Sequence, residues 1–284
     1  MSRGEVSSSL TEQVERLTAE SKARATAVSV HDLESGLRFS LRGDRWFHAA
    51  STIKVAVLLS LFRAVDEGRV RLDDSLHVRN RFFSAAHGSP FELNRDSDAM
   101  PELYQAIGQT AKISALAEGM ISASSNLATN LLLDFVGVGY ARNVLRDAQV
   151  EGVELRRGVE DHAAHEKGIN NEATADGLMT LLSALRGNFL SSESKEQAIR
   201  ILLEQRFNSM IPAGVPPHAA VAHKTGEIST ACHDMGIVYL PEREPYIAVI
   251  LTEFDSEKEG RRETVAAISE AIYNSVMRMQ GEIK

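Results

Sequence analysis

The chain switches between two hydrophobic periods, and the changeovers divide it into segments. Near the start, Leu10, Val14 and Leu17 recur at helical spacing behind Ser9 and Glu12. Those two residues fit a capping box, so an amphipathic helix is predicted to open near Ser9. Residues 26–33 and 37–42 then alternate apolar and polar about the turn-like Glu34-Ser35-Gly36, the pattern of a β-hairpin. From about residue 49 to 200 the periodicity is mostly helical, with helices predicted around 51–66, 101–119, 124–135, 139–149 and 173–186. Residues 79–98 and 151–172 show little apolar periodicity and read as long loops. Three strand-like runs follow, at 219–225, 235–240 and 246–251. A final helix places Val265, Ile268, Ile272, Val276 and Met279 on one face.

This order predicts an α/β (α+β) fold. One antiparallel sheet is assembled from both ends of the chain, flanked by the N- and C-terminal helices, and a mainly helical lobe is inserted between its halves. The expected organisation is a single domain over 1–284, with a sheet lobe of 1–46 and 202–284 and a helical lobe of 47–201. A site is expected between the lobes.

Composition narrows the function. The 284 residues are 43% hydrophobic and carry a formal net charge of −8. Basic residues run no longer than the pairs Arg156-Arg157 and Arg261-Arg262, so nucleic acid is not an expected partner. The single Cys232 rules out an intrachain disulfide and reads as a small buried residue. No stretch approaches the roughly 18 apolar residues of a membrane span, and the run Val55 to Phe62 suits a buried helix. The opening Met-Ser-Arg-Gly-Glu-Val has no apolar signal-peptide core. That fits a cytoplasmic protein or one whose export signal is removed.

Candidate chemistry centres on Phe47-His-Ala-Ala-Ser-Thr-Ile-Lys54, where a strand gives way to a helix. Positions i and i+3 share a helix face, which brings Lys54 Nζ within reach of Ser51 Oγ. A serine becomes a nucleophile when a base takes its proton, and a buried lysine near another cation can be that base. Ser192 and Lys195 have the same spacing in a polar segment, so the spacing alone assigns nothing. Two further groups add weight: Ser124-Ser125-Asn126 leading into an apolar helix, and His223-Lys224-Thr225-Gly226 at the end of a predicted strand.

In this order the three groups resemble the S-x-x-K, S-x-N and K-T-G motifs of the serine β-lactamases and penicillin-binding proteins. The resemblance runs from the first hairpin to the last helix and is nearest to class A β-lactamases. It implies a β-lactamase/transpeptidase-like fold and a serine hydrolase that works through an acyl-enzyme on Ser51. Lys54 takes or relays the proton, and Ser124 passes one to the leaving nitrogen in the field of Lys224. Asn126 binds the substrate's side-chain amide, while Lys224 and Thr225 hold its carboxylate. Gly226 permits close backbone approach, and the amides of Ser51 and Glu227 form the oxyanion hole. The bland alternatives are that Ser124 and Asn126 cap the next helix and that Lys224 guards an edge strand.

The resemblance also implies a small-molecule β-lactam or a peptidoglycan-like substrate, no cofactor, antibiotic resistance as the consequence, and a periplasmic or secreted location. The family's deacylating glutamate, in an E-x-x-L-N loop, has no counterpart motif here. Within residues 155–172 Glu160 is the first candidate for that base, followed by Asp161 and Glu166. His162, His165 and Glu166 match neither standard helical zinc spacing, so no metal is expected. Three functions therefore share one site: a β-lactamase, a D-alanyl-D-alanine carboxypeptidase or esterase, and a sensor that keeps its adduct.

Overall fold

A computed structural model describes residues 3–280. Its main sheet has five strands: β1 (Ala25–Asp32), β2 (Arg38–Leu41), β3 (Ala220–Ile228), β4 (Ala231–Tyr239) and β5 (Tyr246–Glu253). They lie in the order β3-β4-β5-β1-β2, and every neighbouring pair is antiparallel. The two ends of the chain meet where β1 pairs with β5, from Ala25 opposite Glu253 to Asp32 opposite Tyr246.

Period-two alternation sends the central strands' side chains into two cores. Val28, Val30, Ala248 and Ile250 pack with Leu10 and Val14 of α1 (Arg3–Glu20). They also meet Val265, Ile268, Ile272 and Val276 of the last described helix, Arg261–Gln280. On the other face Ala27, Ile247, Val249 and Leu251 join the core of the helical region. That region is organised around α2 (Lys54–Asp66), in which ten of thirteen residues are buried. A helix apolar on all sides needs neighbours all round. They are α3 (Ile113–Ser122), α4 (Asn126–Val136), α5 (Val138–Asp147), α7 (Ala175–Arg186) and α8 (Ser192–Leu203), while the short α6 (His162–Glu166) lies outside on a loop.

A second, small sheet positions the site. Phe47–His48 pairs with Glu172–Ala173, which pairs in turn with Val153–Glu154. The segment leading to Ser51 is thereby tied to both ends of the loop 155–171.

The structure departs from the sequence expectations in several places. The first helix already runs from Arg3, and the Ser9 hydroxyl accepts from Gln13 Nε2 inside it rather than capping its start. The helix expected over 101–119 is broken. Pro101–Ala106 is a 3₁₀ turn, Gly108 adopts φ +87°, and Thr110–Lys112 pairs as a strand with Ser75–His77 before α3 begins. Only glycine enters that left-handed region without strain. Helix α8 covers the polar segment of Ser192 and Lys195, with Ser191 as its cap. Inside the loop 79–98, Phe82–Phe83 pairs with Pro90–Phe91, and Arg95–Ser97 forms a 3₁₀ turn.

Candidate active site

Ser51 lies on a 3₁₀ turn, Ala50–Ile53, that runs straight into α2. The turn requires Ala50 at φ +46°, and the surrounding bonds fix it there. Ala49 N donates to Asn171 O at 2.9 Å, Ala50 N to His48 Nδ1 at 3.1 Å, and Thr52 Oγ1 to Ala49 O at 2.6 Å. One turn on, Lys54 is fully buried at the head of the apolar helix. Its Nζ donates to Ser124 O at 2.6 Å, Asn126 Oδ1 at 2.7 Å and Ser124 Oγ at 3.1 Å. No hydrogen bond joins Lys54 Nζ to Ser51 Oγ, and Ser51 Oγ has none among the described residues.

Ser124 occupies the turn between α3 and α4, at φ +60°. Neither it nor Asn126 caps α4; Ser125 does, accepting from Ala128 N. That leaves its two neighbours free to face Lys54. From the edge strand β3, Lys224 Nζ donates to the same Ser124 Oγ at 3.0 Å and to Thr225 O at 2.9 Å. Lys224 is fully buried, so it does not act as a solvent-facing guard of its edge. One hydroxyl thus bridges two buried amines.

Burial and the Lys224 ammonium push Lys54 well below the ordinary lysine range, although Asp98 and Glu160 oppose this. Burial likewise pushes Lys224 down to about 7, against the opposing charges of Asp234 and Glu227. The arrangement favours the neutral form of Lys54 relative to an exposed lysine.

Gly226 is packed against the nucleophile turn. A Cβ there would sit 3.1 Å from Ser51 N and 3.0 Å from Thr52 N, so a side chain would force strand and turn apart. The Glu227 carboxylate is turned away, paired with Arg262 at 2.8 Å. Beneath the turn, His233 Nε2 donates to His48 O at 3.0 Å while its Nδ1 accepts from Thr252 N at 3.1 Å. Burial holds both His233 and His48 at about 4, which keeps these rings neutral. His223 lies buried between Asp234 and Asn208 Oδ1.

The cleft in front of Ser51 has a volume of about 520 Å³ and is bordered by Asn126, Glu160, His165 and Ser97. The three candidate carboxylates of the loop have separate fates. Glu160, at φ +57°, accepts from Asn126 Nδ2 at 2.6 Å and from Ser97 Oγ at 3.4 Å. Its approach is fixed by Asn130, whose amide both donates to and accepts from the backbone of Val159. Asp161 also borders the cleft but is buried, and its carboxylate is taken by Ser84 Oγ, Ala85 N and Ala164 N. Glu166 is exposed at the end of α6, away from the cleft lining. His165 bonds Asn170 Oδ1 and meets the His48 ring edge-on. Among the described residues no group of three or more metal-ligating side chains is placed to hold an ion.

The profile of the beta-lactamase enzyme family matches residues 9–276. The chain belongs to that family. As a member it is a hydrolase, and its relatives agree at low identity. Beta-lactamase ROB-1 of Haemophilus influenzae is 26% identical over 256 residues, covering 88% of this chain and 79% of its own. Among solved structures, PBP-A is 26% identical with a TM-score of 0.80, covering 95% of this chain and 96% of its own. A mutant of PBP-A is known as its acyl-enzyme complex with penicillin G. An ancestral class A beta-lactamase is also 26% identical with a TM-score of 0.80, covering 94% and 99% of the two chains. Against that family pattern, Asp98 and Ser97 were missed in sequence. They end a loop without periodicity, and no motif spacing ties them to residue 126 or 160.

Proposed function

We propose that the protein hydrolyses β-lactams through an acyl-enzyme on Ser51. The observation that carries this reading is the Ser124 hydroxyl, held 3.0–3.1 Å from two buried lysines beside the cleft that Ser51 lines. Neutral Lys54 takes the Ser51 proton as Oγ bonds to the lactam carbonyl carbon. The carbonyl oxygen becomes an anion that the Ser51 and Glu227 amides receive, with Gly226 letting the two approach. As the C–N bond breaks, Ser124 gives its proton to the nitrogen and regains one from Lys54. Lys224 and Thr225 take the substrate carboxylate, whose negative charge favours the protonated form of Lys224. Asn126 orients the substrate amide.

For release, Glu160 activates the water. Its position on the cleft supports it over Asp161, which is fully engaged, and over Glu166, which faces solvent. A second reading is a penicillin-binding hydrolase or sensor that keeps its adduct, including a D-alanyl-D-alanine carboxypeptidase or esterase. It is favoured by the short Asn126–Glu160 bond, which with Ser97 engages Oε1 and leaves one carboxylate oxygen, Oε2, for a water. A periplasmic or secreted location goes with either reading; no described helix is long and apolar enough to cross a membrane.

Incubation with a chromogenic cephalosporin, followed by both absorbance and intact mass, separates the two. Rapid turnover is the expected result, whereas a persistent adduct on Ser51 would replace it with the second reading. Ser51→Ala should lower the rate by about 10⁴-fold or more and abolish any adduct. A Ser51→Ala protein indistinguishable from wild type would remove the acyl-enzyme mechanism altogether.

A further inference from the structure

The Ser124–Asn126 turn is held by a carboxylate that its own motif lacks. The first amides of α4 are all satisfied, as an N-terminus inside a protein requires. Asn126 N and Leu127 N donate to Asp98 Oδ2 at 3.0 and 2.8 Å, Ala128 N to Ser125 Oγ at 3.2 Å, and Thr129 N to Ser125 O at 3.2 Å. Asp98 Oδ2 also accepts from Ser125 Oγ at 3.2 Å and Tyr104 OH at 3.4 Å, and Oδ1 accepts from Met100 N at 2.9 Å. Asp98 is only 6% exposed, and among the described residues no lysine, arginine or histidine forms an ion pair with it. So deep a carboxylate without an ion-pair partner is costly unless a dipole and hydrogen bonds replace water. Here the α4 N-terminus does so, and the opposite face of that turn presents Ser124 O, Ser124 Oγ and Asn126 Oδ1 to Lys54.

We infer that Asp98 is a positioning residue for acylation, fixing from the 79–98 segment the turn that aims Ser124 and Asn126 at Lys54. This rests on the reading of Ser51 and Lys54 given above. Two consequences follow from the geometry. Loss of the carboxylate frees the two leading amides of α4 and loosens the turn, so Ser124 no longer bridges Lys54 and Lys224 at fixed distance. It also changes the field at Lys54, whose charged neighbours are Lys224, Asp98 and Glu160 and whose polar partners are Ser124 and Asn126. Asp98 is the largest of the influences favouring the charged amine, so removing it lowers the pH at which Lys54 takes up its proton. Ser125 Oγ already touches Asp98 Oδ2 and accepts from Ala128 N, so an aspartate at position 125 returns a carboxylate to the same helix N-terminus.

The test uses Asp98→Asn, which keeps shape and one acceptor, and the double variant Asp98→Asn/Ser125→Asp. In ¹³C-lysine-labelled protein the Lys54 resonance, assigned by its loss in Lys54→Arg, reports its titration directly. Asp98→Asn should lower that midpoint by about one pH unit. It should also slow acylation by the chromogenic cephalosporin about 10- to 100-fold at neutral pH. The acidic limb of acylation should move to lower pH in step with Lys54. Ser125→Asp should return the midpoint and at least about tenfold of the lost rate, which a general loss of stability cannot imitate. Asp98→Asn with wild-type midpoint and wild-type acylation overturns the inference, as does a double variant that melts like wild type yet recovers neither. A wild-type protein that no β-lactam acylates would end the functional reading instead, and the Lys54 titration would still decide the role of Asp98.

Discussion

The residues proposed to form the acyl-enzyme and the one proposed to break it stand on different kinds of structure. Lys54, Ser124 and Lys224 come from a buried helix, a capped turn and a sheet strand, and both lysines are fully enclosed. Glu160 comes from a loop, is half-buried, and owes its direction to one asparagine, Asn130, that grips the preceding residue. What they share is backbone tension: Ala50, Ser124 and Glu160 are three of the seven described non-glycine residues with positive φ. Such conformations survive only where their surroundings over-determine them. On the proposed mechanism, the contrast places attack in the buried body of the fold and release on how a peripheral loop is pinned.

That division can be broken most directly at Glu160. Glu160→Gln should slow release of the acyl-enzyme by about 10³-fold and leave its formation within a few-fold of wild type, read by mass after rapid mixing. Unaltered release would move the base elsewhere on the cleft and dissolve the contrast. Acid should act on the other half. The His48 and His233 rings take up a proton near pH 4 when folded but near 6.5 when unfolded, so the unfolded chain binds more protons between those values. Stability therefore falls as pH drops through that window, and for His233, which is fully buried, the loss is about 3 kcal/mol by pH 4. Urea melts at pH 7 and pH 4 should show a smaller difference in His233→Gln than in wild type; an equal difference would assign the acid response to other groups. The smallest effect belongs to the loop's anchor. Asp161→Ala removes the acceptor of Ser84, Ala85 and Ala164 and should cost about 1–2 kcal/mol in denaturant unfolding. It should also slow release more than acylation, and the reverse order would show that the loop braces the nucleophile instead.

The same contrast describes how far the sequence could be read. The terminal helices announce themselves through period because each buries one face. The hairpin and late strands do so through short apolar runs set off by turns, the central ones buried on both faces. Ser51, Ser124 and Lys224 were recognisable because three short motifs in one order resemble those of a known family, where the spacing of any one alone assigned nothing. The spacing puts Lys54 within reach of Ser51 but does not foretell its hydrogen bonds to two partners about seventy residues away in sequence. Asp98 on α4, Asp161 on Ser84 and His233 on His48 were invisible for the same reason. Each is one polar group meeting a segment distant in sequence, and no local pattern records such a pairing. The break at Gly108 and the helix at Ser192–Leu203 were missed where pairing with Ser75–His77 and packing on the core outweighed local polarity.

The small sheet that joins Phe47–His48, Glu172–Ala173 and Val153–Glu154 clamps the loop at both ends, and Asn171 closes it through the amides of Arg156 and Arg157. Between those ends the chain is a single segment. Its interior reaches the acylation residues through the Asn126–Glu160 bond, while the nucleophile's mounting is tied to the loop's ends. On the proposed mechanism, the clamp makes the lifetime of the adduct a property of the segment between its ends, set apart from the machinery that makes the first bond.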